Sequence, residues 1–425
     1  MNGACILAQV HETLLAFSHR LRCKGANAPR THQALRLTIV SQGLRKASVM
    51  RALWVNESAI RATINAVERS TKIFVYPSTH IVVDRAARIF LDRLLRLRTH
   101  DWKQANVFYI PSWEALPNAS RHEAFLTSGA ARNHFLFHIT GDPAKCSPLS
   151  VRKAVGVDRL DEKIQFIEFG GRHDCGGVCY TQLACCHGCF SGLDSIVVPP
   201  VVPEAMYRAY EPTRRRRALL SMDMDYELST RNLQTERAYV VRYFEMARLN
   251  LSREYYRSHL MPLVSRSAAR YETFMGVHAA GFGIWSARLF AYIIAGAIPM
   301  FFTDGVVLPF ERVIRYEAFA VKLAMARAIN LDYEPLRKIE VIERARMDSL
   351  LARRRDWFDA VLDNMRVAAP WIDWNSRDEL RNPGTLALIE MWCRGVRLKV
   401  SAPTLDLCAF PSSRIAFRET WPVAF

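Results

Sequence analysis

A chain of 425 residues, half of them hydrophobic and with a formal net charge of +17, can bury a large core and is too apolar for a disordered polyelectrolyte. Its length suggests two or three domains. The charge favours anionic partners, whether nucleic acid, acidic glycans, nucleotide diphosphates or membrane surfaces, but no finger spacing, heptad-plus-basic region or aromatic-glycine signature singles out nucleic acid.

The first 56 residues hold one acidic residue, Glu12, among Arg20, Arg22, Lys24, Arg30, Arg36, Arg45 and Lys46. Such a start resembles an organelle transit peptide more than a secretory signal and suits a poorly structured extension equally well. Residues 1–70 are therefore expected to form a basic extension. From Thr71 the texture changes. Lys72-Ile-Phe-Val-Tyr-Pro77 reads as a buried strand, and Ile89, Phe90, Leu94 and Leu97 then recur at helical spacing. Ala105 to Pro111 reads as a second strand with a proline stop, so the alternation predicts a parallel sheet covered by helices.

The stretch from Trp113 to Gly192 is rich in Gly and Cys, and His-Asp-Cys175 to Cys189 concentrates five of the ten cysteines. Cys175, Cys179, Cys186 and Cys189 could supply four zinc ligands, although their spacing fits no standard finger; local disulfides in an oxidising lumen and free buried thiols are the other readings. Asn-x-Ser sequons occur at Asn56, Asn118 and Asn250 and lean towards a secreted chain. Asp194 to Pro200 supplies another strand and Glu204 to Thr213 a connector. The runs Arg214 to Arg217 and Arg353 to Arg355 read as solvated faces or anion contacts. Arg217 to Met222 opens a second α/β series that continues through a helical region at 231–260. The expected organisation is two α/β halves, the first over 71–212 and the second over 213–365, and a tail from 366 to 425 that packs back on both.

The most apolar segment, Ser286 to Phe302, contains an uncharged run of 14 residues from Leu289, too short for the roughly 20 needed to span a bilayer. It predicts a helix from about Ser286, a break before Pro299, and a buried strand ending near Asp304. Gly281 and Gly283 allow close approach of backbone to a ligand, Ser286 suits an N-cap, and a helix amino-terminus attracts phosphate. Arg288 would add a bidentate cation that stabilises a leaving diphosphate, or else form a surface ion pair. Asp304 could meet a ribose or sugar hydroxyl, or simply form a turn. Asp223-Met-Asp225 has the spacing of a divalent-metal motif but is short and common by chance, and no metal is expected there.

Several segments taken in order resemble exostosin-type glycosyltransferases. They are Thr99-x-Asp101-x-x-x-Ala105-x-x-Phe108-x-x-Pro111, Arg132-Asn-His134-Phe135, Asp194 to Pro199, Gly281-x4-Ser286-x-Arg288-Leu289, Ala295-Gly296-x-Ile298-Pro299, Asp304, and Leu308-Pro309-Phe310, within about residues 71–345. The resemblance implies an α/β fold of the GT-B type, two Rossmann-like domains facing a cleft, acceptor held by the first and nucleotide-sugar by the second. It implies an inverting transfer from a UDP-sugar to a glycan, no cofactor or bound metal, Golgi residence, another transferase subunit as a partner, and no nucleic acid. The general base would be His134 or Asp142, with a structural role for His134 as the alternative. Ala131 and Asn133 replace residues usual in the family, and Met325 stands where it has an acid. A divergent enzyme and a silent homologue that serves as a partner are both compatible with these changes; a basic nucleic-acid binder is the reading furthest from the resemblance.

Overall fold

The computed structural model describes residues 51–53, 56–78, 84–112, 115–127, 134–137, 164–169, 171–172, 196–203, 218–222, 236–250, 273–279, 287–302, 306–339, 357–395, 419 and 421–422. Two parallel sheets organise them. The first contains β1 (Ile73–Val75), β2 (Val107–Ile110), β3 (His134–Phe137), β4 (Ile164–Glu168) and, at its far edge, β6 (Ile196–Val197), in that spatial order. Its strands are short apolar runs without hydrophobic alternation because both faces are covered. Ile73, Val75, Val107, Tyr109, Phe135, Phe137 and Ile167 point into a core that continues into the second half of the chain. On the opposite face Phe74, Tyr76, Phe108, Ile110, Leu136 and Ile164 form a separate cluster. Its cover includes Leu116 from the short helix at Leu116–Ala119 and Phe125 from the one at Glu123–Thr127.

The second sheet has the order β11-β9-β8-β7, all parallel: β7 (Ala218–Met222), β8 (Thr273–Ala279), β9 (Ile298–Phe302) and β11 (Val321–Leu323). Between the sheets runs a two-stranded antiparallel ribbon, β5 (Gly171–Arg172) with β10 (Val306–Val307), pairing Arg172 with Val306 and Gly171 with Val307. β5 begins three residues after β4 ends, and β10 four residues after β9 ends. The ribbon therefore brings the carboxyl edges of the two parallel sheets together. In open α/β sheets that edge is where ligands bind.

Helices pack as their sequences dictate. α1 (Glu57–Ser70) is capped by Asn56, whose Oδ1 accepts the Ala59 amide at 2.7 Å, and it buries Ile60, Thr63, Ile64 and Val67 along one stripe. The last part of the stretch expected as an extension is thus a packed helix. Its period was hidden by five charged or amide residues, Glu57, Arg61, Asn65, Glu68 and Arg69. α2 (Arg85–Leu95) starts at Asp84 and buries Ala86, Ala87, Phe90 and Leu94. α5 (Glu236–Asn250) lies within the helical region expected at 231–260.

α6 (Ala287–Ile294) joins β8 to β9 and ends in a Schellman turn. Gly296 takes a left-handed φ of 72°, its amide bonds Ile293 O at 3.1 Å, and Ala297 N bonds Tyr292 O at 2.8 Å. The helix–turn–strand unit read from Ser286 to Phe302 is the one observed, with Pro299 opposite Gly276 inside the sheet. Gly276 is required there. A Cβ at this position would overlap the ring of Tyr292 from α6, so the missing side chain sets how closely helix and sheet approach.

α7 (Met325–Ile329) follows β11 directly. The long helices α8 (Trp357–Ile372) and α9 (Pro383–Gly395) complete the described fold. The boundary expected at residue 365 falls inside α8. α8 packs on α6 of the second half, while α9 packs on α1, α2 and the first sheet. Trp374 Nε1 donates to Pro199 O at 2.6 Å and Asn364 Nδ2 to Ala318 O at 3.3 Å. Arg93 of α2 donates to Glu68 Oε1 at 3.0 Å and Thr385 Oγ1 at 2.9 Å, tying α1, α2 and α9 together. At the other terminus Arg315 N donates to Ala52 O at 2.7 Å, and Leu53 bridges to Ile314.

Candidate active site

A parallel β–α–β unit sends its helix back across the sheet, so the amino-terminus of α6 lies at the carboxyl edge of β8 and β9. Gly281, Gly283 and Ser286 fall in the chain between the end of β8 and the start of α6, and Asp304 falls between β9 and β10; all four lie outside the described residues. Arg288 is the second residue of α6, half-buried on its first turn. A guanidinium there belongs to the turn whose unpaired amides favour anions. Asp142, Asp223, Asp225 and the cysteines 175, 179, 186 and 189 are also outside the described residues. Among the described residues no His, Cys, Asp and Glu cluster could hold a metal.

His134 occupies a different kind of place. It is the first residue of β3, at the amino edge of the first sheet, and 1% exposed. Its ring stacks on Phe108 with centroids 4.7 Å apart, meets Phe125 edge-on at 4.9 Å, and its Nε2 shares a 2.8 Å hydrogen bond with the Tyr76 hydroxyl. Burial pushes the Tyr76 hydroxyl pKa well up, so it stays protonated at neutral pH. The geometry is that of a satisfied core histidine. A base must reach an acceptor hydroxyl, and this ring is sealed inside an aromatic cluster on the edge away from the ribbon.

Three residues at the carboxyl edges were not singled out by sequence reasoning. Glu168 is the last residue of β4, buried, three residues before the ribbon. A carboxylate closing an apolar strand just before Gly170-Gly171 was the available signal. His278 is the next-to-last residue of β8, buried, and edge-on to Phe301 with centroids 6.4 Å apart. It immediately precedes the glycine-containing segment, which was its signal. Glu419 had none, because its partners lie more than ninety positions earlier.

Past the ribbon, Leu308-Pro309-Phe310 makes a strained turn. Phe310 is held at φ 55°, a conformation that costs a bulky residue about 1–2 kcal/mol. Leu308 N donates to Glu311 Oε1 at 2.8 Å and Tyr316 Oη to Pro309 O at 3.0 Å, and these fix it.

Residues 245–335 match the family model of the Exostosin GT47 domain. No curated protein matches the chain. The exostosin match begins inside α5 and ends beyond α7, so it takes in β8, α6, β9, β10 and β11, together with Arg288 and the segments holding Gly281, Gly283, Ser286 and Asp304. The match supports the resemblance read from these residues, while the motifs before residue 245 lie outside the matched stretch. Two helix-covered parallel sheets meeting at their carboxyl edges make a mixed α/β fold, consistent with the GT-B type of the family matched over residues 245–335. Glycosyltransferase is the family activity that the match carries.

Proposed function

We propose that the protein is an inverting glycosyltransferase that moves a sugar from a UDP-sugar to a glycan acceptor. The observation that carries this reading is the coincidence of the exostosin match with the β8–α6–β9 unit, whose helix presents its amino-terminus and Arg288 at the carboxyl edge. In the reaction the acceptor hydroxyl oxygen attacks the anomeric carbon as the bond to the UDP oxygen breaks. Negative charge then grows on the diphosphate. Arg288, the backbone around Gly281 and Gly283, and Ser286 stabilise it, and Asp304 contacts a sugar or ribose hydroxyl.

The acceptor's proton goes to a carboxylate, either Asp142, which follows β3 in the chain, or Glu168, which ends β4 at the carboxyl edge of the first sheet. No bound metal or cofactor takes part in this scheme. Cys393 of α9 is disulfide-bonded, which supports an oxidising compartment such as the Golgi lumen. Among the described residues no helix is long and apolar enough to cross a membrane.

A catalytically silent homologue, acting as a glycan-binding or partner subunit, is the second reading. It is favoured by Met325, fully buried where the family has an acid. Calorimetric titration with UDP and a UDP-sugar hydrolysis screen separate the two. The enzyme reading expects UDP binding that weakens about tenfold or more in Arg288→Ala, plus turnover of at least one donor. Unaltered affinity in that variant sinks the proposed site, and UDP binding without any turnover favours the silent subunit.

A further inference from the structure

We propose that the C-terminal segment completes the nucleotide side of the cleft, with the Glu419 carboxylate accepting a hydrogen bond from the ribose hydroxyls of the bound nucleotide. The inference rests on the UDP-binding reading above.

Glu419 is brought to the end of β11, on the same carboxyl edge as the start of α6. Its Oε1 accepts the Ala324 amide at 3.0 Å and Arg327 Nε at 2.7 Å, and its Oε2 accepts Arg327 Nη2 at 2.6 Å. The contact is unusual in direction, since a residue 95 positions later satisfies the amide that leads from strand into helix. β11 itself has nothing to offer a hydroxyl at that end: Ala324, Met325 and Ala326 are apolar, and Met325 and Ala328 are buried. The segment is anchored by a second contact, Lys338 Nζ lying 5.5 Å from the centroid of the Trp421 ring, which also packs on the main core.

The donors and acceptors count in the same direction. A carboxylate offers about four lone-pair positions, and among the described residues the three donors named above leave one on Oε2. The side chain is 26% exposed, so it is not sealed from solvent. Arg327 also pairs with Asp332, and Lys338 adds a second positive charge near Glu419, so two cations face two carboxylates there. A spot whose charges balance does not draw the diphosphate, and an acceptor position on its carboxylate suits a neutral hydroxyl donor. The diphosphate would lie at α6, and the ribose towards β11, two strands along the same edge.

The test compares UDP with 2′,3′-dideoxyuridine diphosphate by titration calorimetry on the full chain. The wild-type protein is expected to favour UDP by about tenfold or more, as for one hydrogen bond to a charged acceptor, and Glu419→Gln to reduce that preference to near parity. Trp421→Ala, which loosens the segment but keeps the carboxylate, should weaken both ligands alike and keep most of the preference. An unchanged UDP preference in Glu419→Gln overturns the proposal and makes Glu419 a structural clamp only. If Glu419→Gln does not fold, Glu419→Asp, with the charge retained and the reach shortened, carries the same comparison. A wild-type protein that binds UDP without preference defeats this proposal alone; one that binds no UDP defeats the functional reading with it.

Discussion

His134 and His278 are both buried histidines in central strands of parallel sheets, yet they sit at opposite edges. His134 opens β3 and is locked among Phe108, Phe125 and Tyr76. His278 stands one residue from the end of β8, just before the segment that leads to α6. In a parallel sheet the amino edge is stitched to returning helices and can become pure core, whereas the carboxyl edge opens onto loops. The first sheet packs its histidine among aromatic rings at the amino edge; the second holds its own beside Phe301, next to the carboxyl edge.

That contrast can be broken most sharply from the second sheet. Gly276→Ala drives a Cβ into the Tyr292 ring and should cost about 2–3 kcal/mol, read as a lowered thermal midpoint with UDP affinity lost as α6 is displaced. Tyr292→Leu in the same chain should recover part of the midpoint. A smaller effect is expected in the first sheet. Tyr76→Phe leaves a buried His134 nitrogen without its 2.8 Å partner, costing about 1–2 kcal/mol in chemical denaturation while UDP affinity stays unchanged. A fall in UDP affinity there would show that the amino edge is not merely structural. Gly296→Ala should cost about 1 kcal/mol, since alanine must adopt the left-handed conformation at the end of α6, again without touching the diphosphate end.

The smallest effect is pH-dependent. Hydrogen bonds from Arg327 hold the Glu419 carboxyl below its ordinary value of 4.5, so the folded state binds the proton less readily than the unfolded one. The clamp's contribution is fully present above that value and is lost as pH falls through the depressed one. The difference in thermal midpoint between the wild-type protein and Glu419→Gln should therefore be constant near neutrality and shrink under acid. A difference that grows on acidification would contradict the ion pair.

Much of this was legible in the amino-acid sequence where short-range physics rules. Lys72 to Pro77, Ala105 to Pro111 and Arg217 to Met222 carry β1, β2 and β7 because short apolar runs beside turn residues have few other uses. Ser286 to Phe302 showed helix, turn and strand because Gly296 and Pro299 punctuate it. The match over residues 245–335 lies on the part whose motifs read most clearly. What escaped was long-range. β5 and β10 are two residues each and leave no periodic trace. His134 has the chemistry of a base and equally that of a hydrogen-bonded structural histidine, and its aromatic ring contacts fit the structural reading. Glu419 is an ordinary glutamate until its partners are known.

The ribbon of β5 and β10 has a mechanical consequence. It fastens the two sheets at their inner rims, while Trp374 on Pro199 and Arg315 on Ala52 tie them by separate routes. Any opening of the space between them must pivot about those fastenings or break them. Pulling the sheets straight apart would sacrifice backbone pairing, but a twist about the ribbon would not. Access to that space is then a matter of torsion, more like loosening a wrung cloth than parting a pair of jaws.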